Sequence, residues 1–116
     1  MIPHVTVRTA KQAETVDFYQ WLLNLPIARE LDSPTGKIVF LGAEQTKLEL
    51  IADSAAAPVD AKGLTIGFAV ADLDAKLAML DGRQIPHSPV ISPSPGTRFA
   101  YFTDPNGCGI QLFEGN

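Results

Sequence analysis

The hydrophobic positions along this chain follow two rhythms, short β-branched runs that alternate with polar residues and two stretches at helical spacing. Residues 4–9 (His-Val-Thr-Val-Arg-Thr) alternate, which predicts a strand with His4, Thr6 and Arg8 on one face and Val5 and Val7 on the other. Thr9, with Gln12 three residues later, reads as a capping box opening a helix that carries Val16, Tyr19, Leu22 and Leu23, and Pro26 stops it. Strands follow at 27–32, 37–41 and 47–51, separated by the turns Asp32–Gly36 and Gly42–Thr46. In the last of these, Lys47, Glu49 and Ile51 share one face and Leu48 and Leu50 the other.

An Ala-rich segment with Pro58, residues 53–63, then reads as a linker, and the pattern restarts. Leu64–Val70 predicts a strand with Thr65, Gly67 and Ala69 on one face. Asp72 caps a second helix bearing Leu73, Leu77 and Leu80, and Gly82 ends it. An irregular, Pro-interrupted strand over 84–91 and a Pro-rich turn over 92–96 come next. A strand over 98–103, the turn Asp104-Pro-Asn-Gly and a strand over 109–114 complete the second half. Both halves thus read β-α-β-β-β at an offset of about sixty residues, aligned by pattern rather than by identity. The expected class is α+β, one domain over 1–116 made of module 1 (1–52), the linker (53–63) and module 2 (64–116).

Composition narrows the function. The net charge of −4, thirteen acidic against nine basic residues, leaves no basic stripe for nucleic acid and none for an anionic membrane surface. No apolar run is long enough to span a bilayer, and the N-terminal residues do not read as a signal peptide. The single cysteine, Cys108, permits no internal disulfide, and the expectation is a cytoplasmic location.

These pieces together resemble the vicinal oxygen chelate superfamily, which includes glyoxalase I, bleomycin-resistance proteins and extradiol dioxygenases. The resemblance rests on His-Val-Thr-Val-Arg-Thr, Phe18-Tyr19, Leu48-Glu-Leu-Ile, Ile66-Gly-Phe-Ala-Val-Ala-Asp, Asp104-Pro-Asn-Gly and Ile110-Gln-Leu-Phe-Glu, in that order over essentially the whole chain. It implies two βαβββ modules forming an open, cup-shaped barrel, a homodimer, and a small molecule bound in the cup. In metal-binding members four side chains, from the first and last strands of each module, hold the ion. Carried across, those positions are His4, Glu49, Thr65 and Gln111. Family enzymes place a histidine where Thr65 stands and a glutamate where Gln111 stands, and in glyoxalase I that glutamate is also the base.

The chemistry of these side chains decides what survives. Imidazole and carboxylate suit divalent Zn, Ni, Co, Mn or Fe, a neutral amide oxygen is weaker, and a threonine hydroxyl is a poor ligand. His4, Glu49 and Gln111 therefore make the candidate metal set, with an open coordination position. Extradiol oxygenation needs two histidines and a carboxylate around iron, and the second histidine, His87, lies in the Pro-rich loop segment Ile85-Pro-His-Ser-Pro. Standard glyoxalase I chemistry needs a base that Gln111 cannot be, which leaves Glu49 as the candidate catalytic residue. By the resemblance Arg8 is a candidate anchor for an anionic group, with a surface salt bridge as the alternative. Phe99, Tyr101 and Phe113, with Thr65, are candidate ligand contacts, with core packing as the alternative for the aromatics.

Two functions remain open. One is a divalent-metal-dependent lyase or isomerase acting on a small carbonyl compound. The other is metal-free sequestration of a small molecule, in the manner of the bleomycin-resistance proteins, which the loss of a ligand at Thr65 and the acidic charge favour.

Overall fold

The computed structural model of the protein describes residues 1–115. The elements run β1 (His4–Thr9), α1 (Gln12–Leu23), β2 (Ile27–Ser33), β3 (Gly36–Leu41), β4 (Lys47–Ala52), β5 (Ile66–Ala69), α2 (Leu73–Gly82), β6 (Ile91–Ser94), β7 (Thr97–Thr103) and β8 (Gly109–Gly115). The chain divides into two compact units, Met1–Pro58 and a second beginning at Val59, a boundary inside the expected linker. Each unit is one βαβββ module with its own four-stranded mixed sheet, ordered β1-β4-β3-β2 in the first and β5-β8-β7-β6 in the second.

In the first module β1 runs parallel to β4, and β2, β3 and β4 form an antiparallel meander. The alternation of the sequence becomes the two faces of this sheet. Val7, Val39, Leu41, Leu48 and Leu50 point to one side and are buried with Phe18, Tyr19 and Leu22 of α1. Gln12 does not cap the helix. Its side-chain amide donates instead to the carbonyls of Lys37 and Leu50, tying the helix start to β3 and β4. Lys11 occupies the N-cap without a side-chain cap, and Thr9 accepts from the Lys11 N–H, one residue earlier than the capping-box reading expects. Asn24 closes the helix in the left-handed region at φ 53°, which its short polar side chain tolerates.

The second module repeats this plan. Leu73, Leu77 and Leu80 of α2 are buried with Ala100, Phe102, Ile110 and Leu112 of the sheet. Asp72 accepts from the Ala75 N–H, the cap read from sequence. Glu114 adds a second acceptor at this helix start, taking the Leu73 N–H at 2.7 Å while its other oxygen holds Arg98 at 3.1 Å. Asp74 holds Arg98 from the other side at 2.9 Å, and the two carboxylates, Asp74 foremost, push the guanidinium's ionisation further above its usual range.

Two expectations shift here. The edge strand β6 of the second module falls at Ile91–Ser94, mostly within the segment read as a turn, while the stretch read as strand is irregular and meets β7 through a bridge between His87 and Phe102 and through the Tyr101 N–H donating to the Ser88 hydroxyl at 2.9 Å. Prolines at 86, 89, 93 and 95 remove the N–H groups that a regular ladder needs. His87 is not a free loop residue: its ring is 17% exposed, hydrogen-bonded to the Ser88 carbonyl at 2.6 Å and to Asp81 of α2 at 2.8 Å. The Ser88 carbonyl, and after it Asp81, raise its pKa above 6.5 against the opposing effect of burial.

Candidate functional site

The face of each sheet that turns away from its helix carries the candidate residues. In the first module the register places Arg29 opposite Phe40, Phe40 opposite Glu49, and Glu49 opposite Thr6, one transverse row across all four strands. His4 is two residues before Thr6, on the same face of β1. Its Nε2 lies 3.6 Å from Glu49 Oε1, and its ring meets that of Phe40 edge to face with centroids 5.8 Å apart. The Thr6 hydroxyl donates to the same Glu49 oxygen. Glu49 is thus flanked by an imidazole, a hydroxyl and an aromatic ring, and its side chain is only 12% exposed, whereas that of His4 is 43% exposed. Its second oxygen, Oε2, makes no hydrogen bond among the described residues.

The pair fits a metal in one respect and is incomplete in another. Two donor atoms each about 2.1 Å from one ion, at a tetrahedral angle, lie about 3.4 Å apart. The His4–Glu49 separation is close to that. Among the described residues, however, no group of three or more His, Cys, Asp and Glu side chains could hold an ion. The pair is a half-site that needs a further donor of another kind, such as an amide or water.

The equivalent positions of the second module have the same register and different chemistry. Gln111 stands opposite Gly67 on one side and Tyr101 on the other, as Glu49 stands between Thr6 and Phe40. Its amide nitrogen lies 3.4 Å from the Tyr101 hydroxyl. Gly67 leaves room for the amide: a Cβ there would sit 3.3 Å from Gln111 Oε1. Thr65 lies just before β5, exposed, in the place corresponding to His4. One row further on, Phe99 and Phe113 are cross-strand partners with rings stacked at 6.1 Å and 10°, and Tyr101 packs edge to face on Phe99 at 5.7 Å. These three aromatics share the face away from α2, so the sheet core is built without them.

Each sequence candidate therefore has a place. The first module brings His4 and Glu49 together, and the second brings Gln111, Tyr101, Phe99 and Phe113 together. Arg8 lies on the Glu49 face, but its guanidinium meets Asp53 at 3.4 Å, the surface-pair alternative. Sequence reading assigned no role to Thr6, although alternation put it on this face, because only the parallel register of β1 against β4 sets it opposite Glu49. Phe40 and Arg29 were missed for the same reason. Cys108 is buried, and its thiol pKa is pushed up to about 11 by that burial and by Asp104, so it stays protonated and is no nucleophile.

Residues 1–112 match the family model described as the Glyoxalase/Bleomycin resistance protein/Dioxygenase superfamily. No curated protein matches the chain. Among solved structures, a trypanothione-dependent glyoxalase I from Leishmania major is 23% identical with a TM-score of 0.81, the match covering 98% of this chain and 86% of that one. An antibiotic-binding protein from Streptomyces sp. CB03234 is 21% identical with a TM-score of 0.78, covering 100% and 96%. A mutant of a fosfomycin-resistance protein from Listeria monocytogenes, in complex with Mn(II) and a dihydroxypropylphosphonic acid, is 17% identical with a TM-score of 0.80, covering 100% and 93%. At these identities the likeness is one of fold. No helix among the described residues is long and apolar enough to cross a membrane.

Proposed function

Since this chain belongs to the Glyoxalase/Bleomycin resistance protein/Dioxygenase superfamily, we propose that it is a divalent-metal-dependent lyase or isomerase acting on a small carbonyl compound. One observation carries the reading. Glu49 is a largely buried carboxylate on the otherwise open face of its sheet, with His4 Nε2 at 3.6 Å and the Thr6 hydroxyl on the same oxygen. Packing does not require a carboxylate there, because the core of the module lies on the other side of the sheet. A fold of this kind is compatible with metal chemistry, as the Mn(II) complex of the Listeria relative illustrates for that protein.

In this reading His4 and Glu49 hold the ion from the first module, and water or an amide oxygen completes its shell. When bound, Zn, Ni, Co, Mn or Fe would polarise a carbonyl oxygen as a Lewis acid. Glu49 is the proton-transfer group: a carboxylate accepts a proton from carbon next to a polarised carbonyl, and Gln111 cannot. Thr6 fixes Glu49 Oε1 and leaves Oε2 to face the substrate. Phe40 shields one side of the carboxylate from water. The proposal includes a homodimer in the cytoplasm, in line with the family resemblance.

The second module favours a different reading, metal-free sequestration of a small molecule. There the equivalent positions hold Thr65 and Gln111, and the neighbouring face offers Phe99, Phe113 and Tyr101 as a stacking surface for a flat ligand. Elemental analysis of untagged protein purified without chelators separates the two. The enzyme reading expects about one equivalent of a transition metal per chain, lost in both His4→Ala and Glu49→Gln. No metal as purified, and no uptake from a micromolar panel of Ni, Co, Zn and Mn salts, refutes it and leaves ligand sequestration.

A further inference from the structure

The Glu49 face carries a cation that no described residue neutralises. Arg29 lies on β2 in the row Arg29–Phe40–Glu49–Thr6, and its guanidinium carbon sits over the Phe40 ring at 6.0 Å from the centroid. The guanidinium makes no ion pair or hydrogen bond among the described residues. The other arginine of this face, Arg8, is occupied by Asp53 at 3.4 Å. Lys37, on the neighbouring strand, pairs with Glu30 on the opposite, helix-side face of the sheet.

Geometry gives this cation a use. Both the Arg29 guanidinium and the His4 imidazole lie within 6.0 Å of the same ring centroid, that of Phe40. Across the sheet, Arg29 and Glu49 are two strands apart, which sets their backbones about 10 Å from each other. That gap suits a molecule of a few carbons. At 6.0 Å from the Phe40 centroid the guanidinium keeps its forked N–H donors open to take an oxyanion. Phe40 and Ile38 supply apolar contact beneath the connecting carbons.

We propose that Arg29 is the anion anchor of this site, so that the molecule bound beside His4 and Glu49 is a small acid whose carboxylate or phosphonate pairs with the guanidinium. The inference rests on the same Glu49 face as the proposed function and names its substrate class. Anion recognition here needs only residues of the first module, and it operates with or without a bound metal.

The test is an NMR titration of the ¹⁵N-labelled protein with lactate, hydroxymethylphosphonate and the uncharged propane-1,2-diol, each run with and without Zn(II). Shifts of the Arg29 Nε–H and of the β2 and β3 amides read anion binding, and shifts of the His4 ring on adding Zn(II) read the metal. An acid at least tenfold tighter than the diol is expected, and the two acids identify which oxyanion fits better. Arg29→Gln should bring that ratio below twofold, whereas Lys37→Gln, which removes the same charge from the other face, should leave it intact. A wild-type ratio near one, survival of the ratio in Arg29→Gln, or its equal loss in Lys37→Gln overturns the anchor. Absence of the Zn(II) shift with the acid preference intact counts against Zn(II) at the His4–Glu49 pair and keeps the anchor. The converse pattern does the reverse.

Discussion

Thr6→Val removes one hydroxyl and nothing else of consequence, which makes it a sharp probe of how Glu49 is held. Valine has the same branched shape and suits a strand, and Thr6 lies on an exposed position of β1. The hydroxyl donates to a carboxylate oxygen whose side chain is 12% exposed, so water can replace it only in part. A hydrogen bond to a charged group contributes about 1.5–3 kcal/mol, and partial rehydration reduces the expected loss to about 1–2 kcal/mol. The assay is a double-mutant cycle of Thr6→Val and Glu49→Gln in urea, followed by Trp21 fluorescence. Trp21 is the only tryptophan and lies on α1, so it reports the module that contains the pair. A coupling of about 1 kcal/mol or more is expected, because Thr6 should matter much less once the charge is gone. Coupling below about 0.3 kcal/mol, with Thr6→Val costing the same in both backgrounds, would refute the view that the hydroxyl orients the carboxylate.

Three further outcomes are expected. Asp104→Ala should destabilise the second module by about 2–4 kcal/mol, because its buried Oδ1 accepts from both the Asn106 and Cys108 N–H groups. Thermal unfolding measures this, and a shift within error would show that the turn stands without it. His87 has a folded pKa above its unfolded 6.5. Its contribution is therefore complete below 6.5 and fades as pH rises through the folded value; hydrogen exchange in the second module should show protection falling over that range in the wild type and flat in His87→Gln. Cys108, with its pKa near 11, should react with a disulfide reagent at neutral pH only after denaturation, and rapid labelling of the native protein would contradict its burial.

Most of the architecture was legible because alternation and helical spacing are backbone facts that survive without neighbours. Val5, Val7, Leu48 and Leu50 could only face a helix, and that placed His4 and Glu49 on the opposite side before any register was known. The edge strand of the second module was displaced because four prolines blur the period, and proline says where a ladder cannot form better than where it can. Gln12 misled for a related reason: a capping box and a helix-to-sheet tether call for the same residue type. The role of Thr6 and the cation at Arg29 were not legible, since both depend on which residue of one strand lies opposite which residue of another. Spacing within a strand fixes the face, and only the pairing fixes the neighbour.

The parallel contact between β1 and β4 has a kinetic consequence. The β3–β4 hairpin closes through a short turn and belongs to the microsecond class of events. Joining β1 to β4 closes a loop of 43 residues between Thr6 and Glu49, a much larger entropy cost that must be met before the pairing repays it. The expected order is therefore meander first and β1 last, with φ-values near zero at Thr6. Until β1 docks, β4 is a bare edge displaying Leu48 and Leu50, open to pairing with another chain. The carboxylate chemistry of this face would then be the last property the chain acquires as it folds, and an aggregation-prone edge the liability it carries on the way.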